Sequence, residues 1–170
     1  MTDFLELEPF YIDRFVTKNE LVVQSFGFNR YLPIGNVKTA IEFFVNWDVD
    51  EIVIMDIDAT RDGREPNVDL IKWVSQECFI PLTVGGGIKT IRHIQRLLNA
   101  GADKVCLNSV VRNNSSFIAE ASKIFGDQCI IVSVDVVKRD DVYGVYDYLE
   151  GGHSKVELIE HLKEIENAGA

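Results

Sequence analysis

The sequence predicts an α/β fold built on a parallel sheet of about five strand–helix (βα) units. Three observations predict it. Residues 50–57 (DEIVIMDI), 80–84 (IPLTV), 103–107 (DKVCL) and 128–134 (QCIIVSV) are apolar on both faces, as strands covered on two sides are in a parallel sheet. Apolar residues at helical spacing lie between these runs. The unit itself repeats, at roughly 23 to 30 residues. Such repetition builds either a doubly wound sheet or a (β/α)8 barrel. The length of 170 residues by itself favours the open sheet, since a closed barrel usually takes about 200 or more.

Taken in order, the first strand is best read at residues 9–16 (PFYIDRFV), with Asn19-Glu20 turning into a second extended run at 21–26. Asn36 is a candidate N-cap for a helix with Val37, Ala40, Ile41, Phe44 and Val45 on one face. After the strand at 50–57, Val68, Ile71 and Val74 recur at helical spacing. Thr90 precedes Ile91, Ile94 and Leu98; Phe117, Ala121, Ile124 and Phe125 follow, ended by Gly126. Residues 142–149 (VYGVYDYL) read as the arm of a hairpin after the fifth strand. Ser154-Lys155-Val156-Glu157 has the pattern of a capping box for a last helix burying Leu158, Ile159, Leu162 and Ile165.

Bulk properties exclude several classes. The net charge of −10 disfavours nucleic acid, whose affinity comes from Lys and Arg neutralising phosphates. No run approaches the roughly 18 apolar residues of a membrane span. Residues 1–8 are acidic, unlike the basic start of a secretory signal. Cys78, Cys106 and Cys129 are odd in number, widely spaced and set in apolar segments. They read as reduced core residues of a cytoplasmic protein.

The chemistry-bearing residues fall at strand ends. Gly85-Gly86-Gly87 leads from a strand into a helix; such a turn lets amide hydrogens approach a phosphate, and equally serves as a tight connection. Asn108 and Ser109 end the next strand and can donate to phosphate oxygens or cap a helix. Asp135 follows the apolar run 130–134, a partly desolvated setting that suits proton transfer; pairing with Lys138 is the other reading. Asp56 and Asp58 form a DxD pair, for which a metal lacks a nearby third ligand; positioning of substrate or loop suits Asp56 better. Arg61 and Arg64 sit in the following loop, as anion contacts or as solvated charges. His93, His153 and His161 lack ligand spacing and receive no role.

Several segments together resemble the cyclase subunit of imidazole glycerol phosphate synthase: Asp50-Glu51 followed by IVIMDI, 81–88 (PLTVGGGI), 101–109 (GADKVCLNS) and 125–135 (FGDQCIIVSVD). The resemblance runs from about residue 20 onward. It implies a (β/α)8 TIM-barrel family fold, present as an incomplete barrel: one partial domain over 1–170, ending where strand six is due. It further implies that Gly86, Gly87, Asn108 and Ser109 form a phosphate site and that Asp135 is a catalytic aspartate. Glu51 and Lys104 match charged residues at the mouth where ammonia enters, and Asp103 and Gln128 match the face that docks a glutaminase partner. No cofactor is implied. Val16 stands where the family has a second aspartate, and Gln24 where a substrate-contacting lysine is expected. Residues 56–67, 77–81, 26–28 and 34–36 look more like a paralogous branch encoded with surface-polysaccharide genes. The leading expectation is therefore a synthase subunit that uses ammonia from a glutaminase on a phosphorylated or nucleotide-linked sugar, for amidino-sugar formation. The alternatives are the histidine-pathway cyclase and a non-catalytic partial barrel that only binds a partner. On the same reading, strands one and five are open edges suited to self-association or to a complementing barrel fragment.

Overall fold

Five strands run parallel in the order in which the chain makes them: β1 (Ile12–Lys18), β4 (Glu51–Asp56), β5 (Leu82–Gly85), β6 (Lys104–Leu107) and β7 (Ile130–Val132). That order separates the two candidate architectures. A doubly wound sheet reverses direction at a switch point, whereas a barrel wall advances one strand at a time with all crossovers on one side. The fold is an incomplete (β/α)8 barrel. The computed structural model describes residues 10–27, 30–46, 49–112, 114–147, 151–154 and 156–170, without the His153 side chain. The readings made on residues 1–9, Phe28, Tyr148, Leu149 and Lys155 fall outside them.

The helices α1 (Val37–Val45), α2 (Val68–Glu77), α3 (Ile91–Asn99) and α4 (Ser116–Phe125) form the other layer. Asn36, Asn67 and Thr90 cap the first three by accepting from Thr39, Leu70 and His93 amides, satisfying donors that a helix start leaves unpaired. Strand alternation supplies the core between the layers. Ile52, Ile54, Leu82, Val84, Val105 and Leu107 pack with Ile41, Ile71, Val74, Ile94, Leu97 and Ile118. Each such side chain contributes about 1.5–3 kcal/mol on burial.

Two excursions leave the wall. β2 (Leu21–Phe26) and β3 (Arg30–Asn36) form an antiparallel extension of the sheet before α1. β8 (Val136–Arg139) and β9 (Val142–Asp147), with β10 (Gly152–His153), form a separate small sheet after β7. The β1–β2 and β8–β9 connections turn on residue pairs with positive φ, Asn19-Glu20 and Asp140-Asp141, the twist-matched geometry that two-residue hairpin loops favour.

Four expectations are corrected. The first strand spans Ile12–Lys18, not 9–16, because its pairing with β4 runs from Ile12↔Glu51 to Thr17↔Asp56. Strand one is not an open edge along its whole length, since β2 pairs with it at Thr17 and Lys18 and the outer strand there is β3; β7 does remain the opposite outer strand among the described residues. The last helix, α5 (Leu158–Asn167), starts at an N-cap formed by Glu157, whose carboxylate accepts from Glu160, while Ser154 accepts from Val156 one turn earlier. Its buried residues are His161 and Ile165, with Ile159 and Leu162 exposed. α5 contacts β9, and the His161–Ile165 stripe, one turn apart, is the face it buries. Ile124 of α4 is likewise exposed, Ile118 taking the core position.

Candidate functional site

The C-terminal ends of the parallel strands converge on one hollow of about 140 Å³. β4 delivers Asp56, the turn after β5 delivers Gly86 and Gly87, the segment after β6 delivers Asn108 and Ser109, and the segment after β7 delivers Ser133 and Asp135. β1 adds Arg14 and Val16 from its inner face. The residues singled out for phosphate and proton chemistry thus share one rim.

Asp135 is half-buried. Its Oδ2 accepts from Asn108 Nδ2 at 3.1 Å, and its carbonyl accepts from the Tyr146 amide at 2.7 Å. The alternative pairing with Lys138 does not form: Lys138 reaches Asp141 at 2.7 Å. Asp135 is therefore held by hydrogen bonds from neutral groups and faces the hollow.

Asp56 is engaged within its own loop. Its carboxylate accepts from Asp58 and Ala59 amides, both at 3.1 Å, and takes Arg64 in a two-point contact at 2.9 and 3.2 Å. This geometry supports the loop-positioning role. Asp58, buried, pairs with Lys18 at 3.2 Å. Among the described residues no group of three or more His, Cys, Asp or Glu could hold a metal ion.

The glycine turn has a packing requirement of its own. Gly86 and Gly87 have φ of +106° and +70°, a region that penalises any Cβ. A Cβ on Gly86 would collide with the Asp56 carbonyl, and one on Gly87 would stand 2.8 Å from the Arg64 carbonyl. The Gly87 amide donates to Thr60 Oγ1 at 3.3 Å. The turn is pressed against the loop that Asp56 and Arg64 shape, with the Gly87 amide at the edge of the hollow.

Sequence reasoning missed the contribution of the first hairpin. Ser25 of β2 and Tyr31 of β3 reach the hollow, and Lys18 lies 4.6 Å over the Tyr31 ring. The signal was present in the second extended run after Asn19-Glu20, which becomes β2 and carries β3 paired along it. Burial of Cys106, on the inner face of β6, pushes its thiol up to about 11, although Ser133 and Arg14 act the other way, which disfavours the nucleophilic thiolate.

At the opposite ends of the strands, Glu51 is buried and meets Lys104 at 2.7 Å and the Thr83 hydroxyl at 2.5 Å. Burial pushes its carboxyl up, but the Lys104 and Thr83 hydrogen bonds and the Lys104 charge outweigh this and leave it below the ordinary carboxylate value. Asp103, exposed, accepts from the Leu82 amide at 2.8 Å and so anchors the start of β5. Gln128 is exposed in the short 3₁₀ turn Asp127–Cys129. Among the described residues no helix is long and apolar enough to cross a membrane.

Comparison with known proteins gives a consistent set of matches. Residues 16–170 match the family described as histidine biosynthesis protein. The "Putative imidazole glycerol phosphate synthase subunit hisF2" of Vibrio vulnificus (strain YJ016) is 59% identical over 155 residues, covering 91% of this chain and 57% of that protein. The protein of the same name in Campylobacter jejuni is 42% identical over 130 residues, 76% of this chain and 52% of that one. The "Imidazole glycerol phosphate synthase subunit HisF" of Clostridium botulinum (strain Kyoto / Type A2) is 38% identical over 151 residues, 88% and 60%. The chain spans between half and about three-fifths of the length of these relatives. These matches overturn the expectation of a sugar-amidating synthase for surface polysaccharide, since the family model and the relatives carry the histidine-pathway description. The segment 56–67, which suggested that branch, is accounted for by the Asp56–Arg64 loop and its contact with the glycine turn.

Proposed function

This chain belongs to the histidine biosynthesis protein family, and we propose that it forms the strand-one-to-five wall of an imidazole-glycerol-phosphate-synthase-type cyclase subunit. In this reading residues 1–170 serve as one domain, in the cytoplasm, and the subunit uses ammonia from a glutaminase partner on a sugar-phosphate substrate. One observation carries it: Asp135, Asn108, Ser109 and the Gly86–Gly87 turn open onto a single hollow at the C-terminal ends of the strands, where barrel enzymes hold their chemistry.

Each residue then has a defined task. Asp135 accepts and returns protons as the ring closes, while the Asn108 amide at 3.1 Å holds its carboxylate toward the hollow. Ser109 and the Gly86 amide supply uncharged donors to a phosphate, and Gly87, whose amide is held by Thr60, shapes the turn that lets the phosphate approach. Glu51 and Lys104 form the polar mouth by which ammonia enters the barrel, and Asp103 and Gln128 belong to the docking face around it. Val16 lines the hollow where the resemblance calls for a second acid, so water or a substrate group completes the proton path. One acid–base residue is typically worth about 10² to 10⁴ in rate, and turnover is expected to be lower by that order than in a two-aspartate cyclase.

The test is rescue of a histidine auxotroph that lacks its cyclase, alongside ammonium-driven turnover of the purified protein. Both are expected from the wild type, and Asp135→Asn abolishes both while leaving thermal unfolding unchanged. Absence of rescue and of ammonium-driven turnover removes the cyclase reading.

A further inference from the structure

We propose that Arg112 and Asp147 are positioning residues that fix the side-chain amide of Asn108 against Asp135, so that the β8–β9 hairpin governs the carboxylate from behind. This rests on the reading of Asp135 as the proton-transfer group. Its geometric half stands without that reading.

Arg112 and Asp147 form an ion pair in which the two side chains are only 7% and 12% exposed. A guanidinium so far from water requires a fixed counter-charge, and Asp147 of β9 provides it. Arg112 Nη2 also points at Asn108 Oδ1, at 3.5 Å, and the other end of that amide, Nδ2, donates to Asp135 at 3.1 Å. Guanidinium is donor-only and carboxylate is acceptor-only. Turning the Asn108 amide over would set Nδ2 against the cation and Oδ1 against the carboxylate, two repulsive contacts. Asn108 is thereby given one orientation, with its donor committed to Asp135.

The same hairpin touches Asp135 by a second route. Tyr146, the neighbour of Asp147 on β9, donates its amide to the Asp135 carbonyl at 2.7 Å. One strand therefore holds both the main chain of Asp135 and, through Arg112 and Asn108, its carboxylate. The neighbouring α5 leaves this arrangement alone: His161 is buried, and burial, reinforced by the Arg112 charge against the opposing pull of Glu164, pushes its imidazole toward the neutral form.

The test pairs a spectroscopic readout with kinetics. The double variant Arg112→Met/Asp147→Leu replaces the buried pair by apolar groups of similar size, a change that folds in other buried pairs; Asp147→Asn breaks the chain at its far end. The ¹⁵N side-chain resonances of Asn108, identified with Asn108→Asp, are expected to move and to exchange faster with water in both variants. Loss of one oriented hydrogen bond to a carboxylate is expected to lower ammonium-driven kcat by about 10- to 100-fold with KM unchanged. Arg112→Lys, which keeps the charge without the planar fork, is expected to fall between. Unmoved Asn108 amide signals in the folded double variant overturn the proposal. So does a moved amide with unchanged kcat. If no variant or wild type turns over, the cyclase reading fails, and the Asn108 resonances still decide whether the pair orients the amide.

Discussion

Replacing Lys104 by methionine isolates the electrostatics of the barrel's N-terminal mouth. The Glu51 side chain is 6% exposed and that of Lys104 35%. Removing one partner of a fully buried pair costs about 3–5 kcal/mol, because the other charge is stranded. Here the cost is smaller, since Lys104 already meets water and Thr83 still donates to Glu51; about 2 kcal/mol at neutral pH is expected. For a chain of this size that lowers Tm by roughly 4–8 °C. The pH dependence is the sharper readout. In the wild type the Glu51 carboxyl lies below its ordinary value, so its contribution is present above the unfolded carboxylate pKa and is lost as pH falls through the lower folded one. Without Lys104, burial is the leading influence and pushes the carboxyl up. The contribution then reverses sign: the variant loses stability relative to wild type as pH rises through the carboxylate range, and the gap narrows in acid. Urea unfolding at several pH values measures this, with Glu51→Gln/Lys104→Met as the control that removes the stranded charge. A deficit equally large in acid, or a double variant no more stable than Lys104→Met at neutral pH, refutes the reasoning.

Three further outcomes are expected. Gly86→Ala forces a Cβ into the Asp56 carbonyl at a φ of +106°; a loss of about 1–3 kcal/mol and displaced Arg64 and Gly87 resonances are expected, whereas Gly63→Ala, which meets no neighbouring atom within 4 Å, costs less. Ile94→Ala empties a fully buried core position between α3 and the sheet and is expected to cost about 2–5 kcal/mol in urea unfolding. His161, pushed below its ordinary value first by burial, contributes stability that is present above the unfolded histidine pKa and lost as pH falls through the lower folded value; His161→Gln flattens the acid limb of the stability profile between these two values.

The strands buried on two sides, β4 to β7, were legible because their inner runs, 52–55, 82–85, 105–107 and 130–132, are apolar or small, and the turn from β1 into β2 because Asn tolerates positive φ. The cap at Asn36 was legible from one residue. β1 was harder. Its inner residues Arg14 and Val16 and outer residues Phe15 and Thr17 give a mixed pattern, and pairing with β4, a long-range fact, sets its ends. α5 misled because Ile159 and Leu162 suggest an apolar face, while the buried stripe includes a histidine whose Nδ1 has no hydrogen-bond partner among the described residues. The rim residues at strand ends were readable from the periodicity alone, but their partners were not: Arg64 for Asp56, Thr60 for Gly87 and Arg112 for Asn108 come from loops whose folding depends on one another. The surface-polysaccharide expectation fails for the same reason: the residues of 56–67 shape a loop and its contact with the glycine turn.

The order of the wall has a bearing on how the chain comes together. Each parallel strand pairs with the one made just before it, across roughly 20 to 40 residues, and closing segments of these lengths differs by under about 1 kcal/mol in entropy. No described pairing in this sheet waits for a distant part of the chain. The wall can therefore be laid down stave by stave during synthesis, every new strand docking on an edge already in place. Early strands gain a partner soon after they emerge, which shortens the time an apolar edge such as β4 stands open to another nascent chain.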